Sequence, residues 1–201
     1  MKCAAIVDYG VGNLLSLKRS LDYINKKSIV TSNIDKIKNC SHLILPGVGA
    51  FASAMNRLKE SGIDKAVIDF AKSGKPVLGI CLGMQLMFDE SHEFGKWNGL
   101  KIISGKVKKI SIRGENIPIV GWYKINSKKN VFIDKYNGEY LYLVHSYECM
   151  PKNRKNIIGT YKISDNKIVC AVRKENIYGF QFHPEKSSLK GIEMLKDFCS
   201  L

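Results

Sequence analysis

Between Lys75 and Phe88 the chain reads Lys-Pro-Val-Leu-Gly-Ile-Cys-Leu-Gly-Met-Gln-Leu-Met-Phe, a string that few folds accommodate. Val77, Leu78, Gly79 and Ile80 form a short apolar run bounded by Gly74 and Pro76, the pattern of a buried strand. Residues 84–88 are good helix formers, followed by Asp89 and Glu90. The segment Gly79-Ile80-Cys81-Leu82-Gly83 must therefore turn a strand into a helix within one or two residues. A turn that sharp leaves no room for side chains two positions either side of its apex, which accounts for the paired glycines. This is the G-x-S-x-G nucleophile elbow with cysteine in place of serine. It lifts Cys81 out of the sheet at a helix N-terminus, where free N–H groups and the helix dipole stabilise a thiolate and any oxyanion formed beside it. A lone cysteine reads as core, because free cysteine is among the most buried residue types. The two flanking glycines favour a nucleophile.

The surrounding pattern supplies a sheet for the elbow. Residues 3–8 read as a buried strand, Tyr9-Gly10-Val11-Gly12-Asn13 as its turn with Asn13 as N-cap, and Leu14, Leu17, Leu21 and Ile24 recur at helical spacing. The Gly10-x-Gly12 pair is no dinucleotide loop, since Leu15 stands where a third glycine would be required. Strands are expected over 28–32 and 41–45, the latter ending in Pro46-Gly47-Val48-Gly49-Ala50-Phe51, and helices over about 51–61 and 63–73. Such alternation with short connections implies a parallel sheet covered on both faces, with ligands at the C-terminal ends of its strands, the edge where Pro46 and Cys81 lie. From Leu100 the pattern changes to shorter strands at 102–112, 119–123, 140–146, 157–163, 168–173 and 178–182, separated by Gly, Asn and Asp turns. A closing helix over 188–199 presents Leu189, Ile192, Leu195 and Phe198 on one face. The expected fold class is α/β: an open, mostly parallel central sheet flanked by helices, with antiparallel strands in the C-terminal half. No repeat, low-complexity tract or linker interrupts residues 1–201, which read as a single domain.

Charge and cysteine usage narrow the function classes. The formal charge of +14 invites nucleic-acid binding, yet the lysines are scattered and no zinc-finger, RRM or KH signature accompanies them. A solvated basic surface facing an acidic partner is the better reading, with no nucleic acid involved. No apolar run reaches membrane-spanning length, and Met1-Lys2-Cys3-Ala4-Ala5 leads into a strand rather than a signal peptide. Cys3, Cys40, Cys81, Cys149, Cys170 and Cys199 form no C-x-x-C pair, which reads as reduced thiols in a cytoplasmic protein.

The second informative stretch is Gly179-Phe-Gln-Phe-His-Pro-Glu185. Pro184 biases His183 toward an extended conformation, and residues two apart in an extended chain point to the same side. Glu185 can then orient the imidazole of His183 while its other nitrogen faces a nucleophile. A surface histidine in a turn is the alternative. A zinc site would need further ligands at suitable spacing, and none is found, so no metal is expected.

The combination of Gly79-Ile-Cys-Leu-Gly-Met-Gln85 with Phe182-His-Pro-Glu185 resembles the class I (triad) glutamine amidotransferases. Asp8-Tyr-Gly-Val-Gly-Asn-Leu-Leu-Ser16, Pro46-Gly-Val-Gly-Ala-Phe51 and Phe180-Gln-Phe-His-Pro-Glu-Lys-Ser187 narrow the match, over essentially the full length, to the glutaminase subunits of imidazole glycerol phosphate synthases. Relatives serving GMP, anthranilate, CTP or carbamoyl phosphate synthesis usually carry Pro-Gly-Gly at the second of these.

The resemblance implies that Cys81 attacks the carboxamide of L-glutamine to give a thioester, that His183 protonates departing ammonia and activates water, and that Glu185 holds His183. It implies oxyanion donors at Leu82 and in the Gly47-Val48-Gly49 backbone, with Val48 and Gly49 at the oxyanion, and substrate contacts from Gln85, Gly47, His145, Ser146 and Tyr147. No cofactor is implied. The implied partner is a (βα)8-barrel cyclase subunit, in an obligate heterodimer, that receives the ammonia and converts PRFAR to imidazole glycerol phosphate and AICAR in histidine biosynthesis. The implied partner face includes Pro118, Ile119, Trp122 and Tyr123. There the chain reads Pro118-Ile-Val-Gly-Trp-Tyr123 where the family usually has Pro-His-x-Gly-Trp-Asn. That departure opens a second reading, a paralogous glutaminase feeding a sugar amidotransferase in surface-glycan synthesis. A non-catalytic basic scaffold is a third, opposed by the intact Cys81, His183, Glu185 and Gln85.

Overall fold

A computed structural model describes residues 3–129 and 131–201; Met1 and Lys2, part of the N-terminal reading above, lie outside them. In chain order the elements are β1 (Ala4–Val7), α1 (Leu14–Tyr23), β2 (Ser28–Thr31), α2 (Ile34–Asn39), β3 (His42–Leu45), α3 (Phe51–Glu60), α4 (Ile63–Lys72), β4 (Val77–Ile80) and α5 (Leu82–Leu86). There follow β5 (Phe88–Ser91), β6 (Trp97–Asn98), β7 (Ile103–Lys109), β8 (Ile119–Ser127), β9 (Tyr140–His145), β10 (Tyr147–Pro151), β11 (Ile157–Ile163), β12 (Asn166–Lys174), β13 (Ile177–Phe180) and α6 (Ser188–Phe198).

The first parallel strands are apolar at nearly every residue because both sheet faces are covered. Ala4 and Ile6 of β1 enter one core with Ile44, Leu78 and Ile80, packed by Leu17 and Leu21 of α1 and Leu195 and Phe198 of α6. Ala5 and Val7 enter the other with Leu43, Leu45 and Val77, packed by Ile37, Phe51, Leu58, Val67 and Phe70 of α2 to α4. The split follows the two-residue side-chain period of a strand.

The main sheet runs β2-β1-β3-β4-β13-β12-β11-β8-β9. Its first five strands are mutually parallel, and every pairing from β13 outward is antiparallel. The parallel core is as expected, but the sheet is more evenly mixed than "mostly parallel". A second sheet, β10-β7-β5-β6, contributes Phe88, Ile103, Val107 and Cys149 to the core under α2 to α4.

Several local expectations are corrected. The helix after Cys81 stops at Leu86, and Phe88 begins a strand paired with Ile103, so tertiary pairing overrides helix propensity there. Helix α2 buries only Ile37, which leaves no apolar periodicity to read, although Asn33 caps it by accepting from the Lys36 N–H at 2.9 Å. On α6, Leu189 is exposed and the buried stripe runs through Gly191, Met194, Leu195 and Phe198. The helix sits so close to the 184–187 turn that a side chain at Gly191 would meet the Pro184 carbonyl at 2.0 Å, which sets the buried face.

Candidate active site

Cys81 sits between β4 and α5 with φ +54°, a strained value for a residue with a Cβ. Its flanking glycines are sterically obligatory. A Cβ at Gly83 would lie 1.8 Å from the Leu45 carbonyl oxygen, and one at Gly79 would lie 2.7 Å from the Gly83 carbonyl. The elbow thus packs backbone to backbone against the end of β3, which places the 46–49 loop beside the thiol. Tyr9 tethers that loop: its hydroxyl donates to the Pro46 carbonyl at 2.7 Å. Gly47 is wedged among the Tyr9 hydroxyl, the Gly83 nitrogen and Leu82, whereas Gly49 has φ +94° and open space around its Cα.

His183 arrives from the other neighbour of β4. Strand β13 pairs in parallel with β4, Phe180 opposite Ile80, and the Cys81 N–H donates to the Phe180 carbonyl at 2.7 Å. His183 is extended, as expected, but Pro184–Lys186 then forms a 3-10 turn rather than continuing the strand. Glu185 still reaches the imidazole, accepting from Nδ1–H at 2.9 Å with both side chains buried. Ser187 fixes this turn by donating to the His183 carbonyl at 2.6 Å and accepting from the Tyr142 N–H at 3.0 Å. Burial alone would favour neutral His183. The adjoining Cys81 sulfur and the Glu185 carboxylate outweigh it, so the imidazole pKa is raised and its proton is held beside the Cys81 sulfur.

Cys81 and His183 open onto a cavity of about 280 Å³. Val48, Gly49, Leu82, Gln85, His145, Ser146 and Tyr147 line it, as does Pro118, which was expected at a partner face. Gly47 and Glu185 stand behind this lining. Two of these residues are less free than the sequence implied. Gln85 is buried and spends both amide N–H groups, on the Tyr147 carbonyl at 3.4 Å and on Gln181 Oε1 at 3.1 Å. It has only its carbonyl oxygen to offer a ligand. His145 donates from Nδ1 to the Tyr147 carbonyl at 2.9 Å, so its Nε2 must accept from the Tyr161 hydroxyl at 2.7 Å. It holds the 145–147 segment and has no ring nitrogen left for substrate.

The expected partner face splits by strand alternation. Trp122 is 49% exposed and its neighbour on that face, Val120, 55%, whereas Ile119 is 3% exposed and belongs to the core. Tyr123 packs on Tyr161 at 5.1 Å between ring centroids. Ile119 cannot present its side chain to a partner, because successive residues of β8 face opposite ways.

Three site residues escaped sequence reasoning. Glu93, the one carboxylate lining the cavity, accepts from the Phe51 N–H that starts α3. It arrives on the β5–β6 hairpin, which no alternation or turn pattern in residues 88–98 announces. Tyr9 is the loop tether. Gln181 is wholly buried, with its Nε2 3.6 Å from the Cys81 sulfur. A period-two reading could have found it, since Phe180 and Phe182 stack in the core at 4.8 Å and so turn Gln181 to the same side as His183.

The model of the family described as "Glutamine amidotransferase class-I" matches residues 5–200. The chain belongs to the class-I glutamine amidotransferases. It is a glutamine amidotransferase enzyme, similar over its length to the imidazole glycerol phosphate synthase subunits HisH of Wolinella succinogenes, 41% identical with 98% of each chain covered, and of Oceanobacillus iheyensis, 43% identical with 96% of each covered. Among solved structures, a glutamine amidotransferase superposes with a TM-score of 0.76 at 14% identity, covering 98% of this chain and 99% of that one. PurLQS from Thermotoga maritima superposes with a TM-score of 0.77 at 17% identity, covering 99% and 98%. These last two likenesses speak to the fold.

Within this amidotransferase the other thiols differ from Cys81 in their surroundings. Burial raises the pKa of Cys149 and Cys170, both wholly enclosed, and pushes Cys199 and Cys40 up to about 11. All six cysteines are free. Among the described residues no His, Cys, Asp or Glu group of three or more is arranged to hold a metal, and no helix is long and apolar enough to cross a membrane.

Proposed function

We propose that the chain, as one amidotransferase domain, is the cytoplasmic glutaminase subunit of an imidazole glycerol phosphate synthase, hydrolysing L-glutamine and passing ammonia to a (βα)8-barrel cyclase subunit that converts PRFAR to imidazole glycerol phosphate and AICAR. The observation that carries the chemistry is the convergence of Cys81 and His183 on one cavity, with Glu185 behind the imidazole. In this reading the Cys81 sulfur attacks the glutamine carboxamide carbon. The Leu82 N–H, unpaired at the start of α5, and an N–H of the 48–49 segment receive the oxyanion. The His183 proton leaves with ammonia, and His183 then deprotonates the water that cleaves the thioester to glutamate. Glu93 supplies the carboxylate for the substrate ammonium, and the Gln85 carbonyl oxygen accepts from a substrate N–H.

Hydrolysis without an acceptor wastes glutamine, so the oxyanion site is completed only in the loaded complex. Gly47 is locked by its neighbours, which confines any reorientation to the Val48–Gly49 peptide, where Gly49 is unhindered. One such N–H is worth about a hundredfold in rate. The substitutions at Ile119 and Tyr123 point inward, so they do not alter the outward face of β8 and lend little support to a glycan-pathway partner. The test is steady-state glutaminase kinetics of the purified chain, alone and then with the cognate barrel and PRFAR. Stimulation by both is expected. Equal turnover in every condition refutes the switch, and stimulation by a barrel without any response to PRFAR assigns the chain to another ammonia acceptor.

A further inference from the structure

Cys81 is linked to the substrate-binding segment by a chain of buried amides whose polarity is fixed from one end. The Tyr147 carbonyl is a backbone oxygen and cannot donate, so the Gln85 atom 3.4 Å from it must be the amide nitrogen. The same nitrogen lies 3.1 Å from the Gln181 side chain, which must therefore present oxygen. A reversed Gln181 would set donor against donor, and a reversed Gln85 would set acceptor against acceptor. With its oxygen committed, Gln181 can turn only its amide nitrogen toward the Cys81 sulfur, 3.6 Å away. Gln181 is 0% exposed and Gln85 6%, so no bulk water competes for these bonds. His145 locks the far end, because its Nδ1–H donates to the same Tyr147 carbonyl.

We infer that Gln181 is a further catalytic residue of this active site: its Nε2–H donates to the Cys81 sulfur, stabilising the thiolate, and Gln85 acts through it as a positioning residue that keeps that donor aimed. The inference deepens the glutaminase reading and rests on it only for the consequence in turnover. An N–H donor offers more to S⁻ than to S–H, so the contact favours the attacking form of the nucleophile. It approaches the sulfur from buried surroundings, leaving His183 and the cavity side for the substrate carbonyl. It also makes Gln85 serve two ends at once. A substrate amide that pulls on Gln85 disturbs the donor on the sulfur, which ties occupancy of the pocket to the state of the nucleophile.

The test is the pH profile of Cys81 alkylation by iodoacetamide, followed residue by residue by mass spectrometry on the full chain. Gln181→Met keeps the length of the side chain and removes the donor. At neutral pH its Cys81 should react about tenfold more slowly than in the unsubstituted chain, the low end for a hydrogen bond to a charged group. The profile should move to higher pH and the two rates converge on one plateau, while Cys3 reacts unchanged. A role in packing alone would shift the plateau and leave the midpoint in place. Gln85→Met should move the midpoint the same way by a smaller amount, about twofold to threefold in rate. It serves as the deciding variant if Gln181→Met does not fold. A folded Gln181→Met protein with an unmoved midpoint overturns the inference, as does an unmoved midpoint in Gln85→Met when only that variant folds. Alkylation does not require turnover, so an unsubstituted chain that hydrolyses no glutamine with its barrel would count against the proposed function and leave this result standing.

Discussion

The elbow corner and the β8–β9 face are built on opposite principles. At the elbow, three backbones meet so closely that Gly79 and Gly83 admit no side chain, and Cys81 is held at a strained φ. The β8–β9 face is an outlying pair of antiparallel strands carrying exposed Val120, Trp122 and Tyr140 over a buried layer of Ile119, Ile125, Leu141 and Leu143. The first region tolerates almost no change because its constraints are steric and local. The second has one side of its strands in the core and the other in solvent, so its exposed side chains can change without disturbing the packing beneath. The difference separates a corner fixed by backbone contact from a face that leaves large apolar side chains exposed.

The comparison breaks most plainly at Cys81. Cys81→Ala should abolish glutamine hydrolysis, a loss of roughly ten-thousand-fold or more, while added ammonia still supports synthesis by the complex. Retained glutaminase activity would show that the elbow does not carry the chemistry. His183→Ala should be nearly as damaging in kcat, and Glu185→Gln milder, since members of a catalytic unit contribute unequally. The reverse order would overturn the roles given to them.

Next in size is the steric claim. Gly83→Ala should lower unfolding stability by about 3 kcal/mol or more, because the Leu45 backbone must move, and urea denaturation would measure it. A loss under about 1 kcal/mol would mean that the corner is softer than its contacts imply. On the other face, Trp122→Ala should weaken barrel binding by at least about tenfold in a titration, with the basal glutaminase rate of the isolated chain unchanged within about twofold. Unaltered affinity would place the docking surface elsewhere.

The last effect appears only on acidification and concerns His145, behind the 145–147 segment. Burial pushes its pKa down to about 4, with the Tyr147 carbonyl opposing and the nearby His183 adding to the shift. In the unfolded chain the same imidazole protonates near 6.5. Between those values the unfolded state binds the extra proton, so stability is lost as pH falls from about 6.5 toward 4, by roughly 3 kcal/mol in all. His145→Gln should flatten that part of the stability curve in denaturation at stepped pH. A slope identical to that of the unsubstituted chain would mean that His145 protonates without penalty.

The parallel core, the elbow and the extended His183 were legible because each is a local rule written in adjacent residues, whereas the 3-10 turn at Pro184–Lys186 was not. Apolar runs of four residues mark strands covered on both faces, and glycines two positions from a cysteine mark a turn with no space beside it. The second sheet was not legible, since helix-forming Leu86-Met87-Phe88 gives way to β5 only because Ile103 is there to pair with it. The direction of Ile119 was hidden for the same reason: alternation says that Ile119 and Val120 face opposite ways, and only the packed molecule decides which of them faces the core.

By itself, then, the sequence determined the elbow at Cys81 and the extended backbone at His183, because short-range sterics and a proline leave those residues few conformations. The tertiary structure decided that Glu93 joins the cavity, that Gln85 and His145 are occupied with Tyr147, and that Gln181 reaches the sulfur from 100 residues away. Those contacts depend on strand order and register, which are set by burial of both sheet faces across the whole chain, and no local run of residues encodes them.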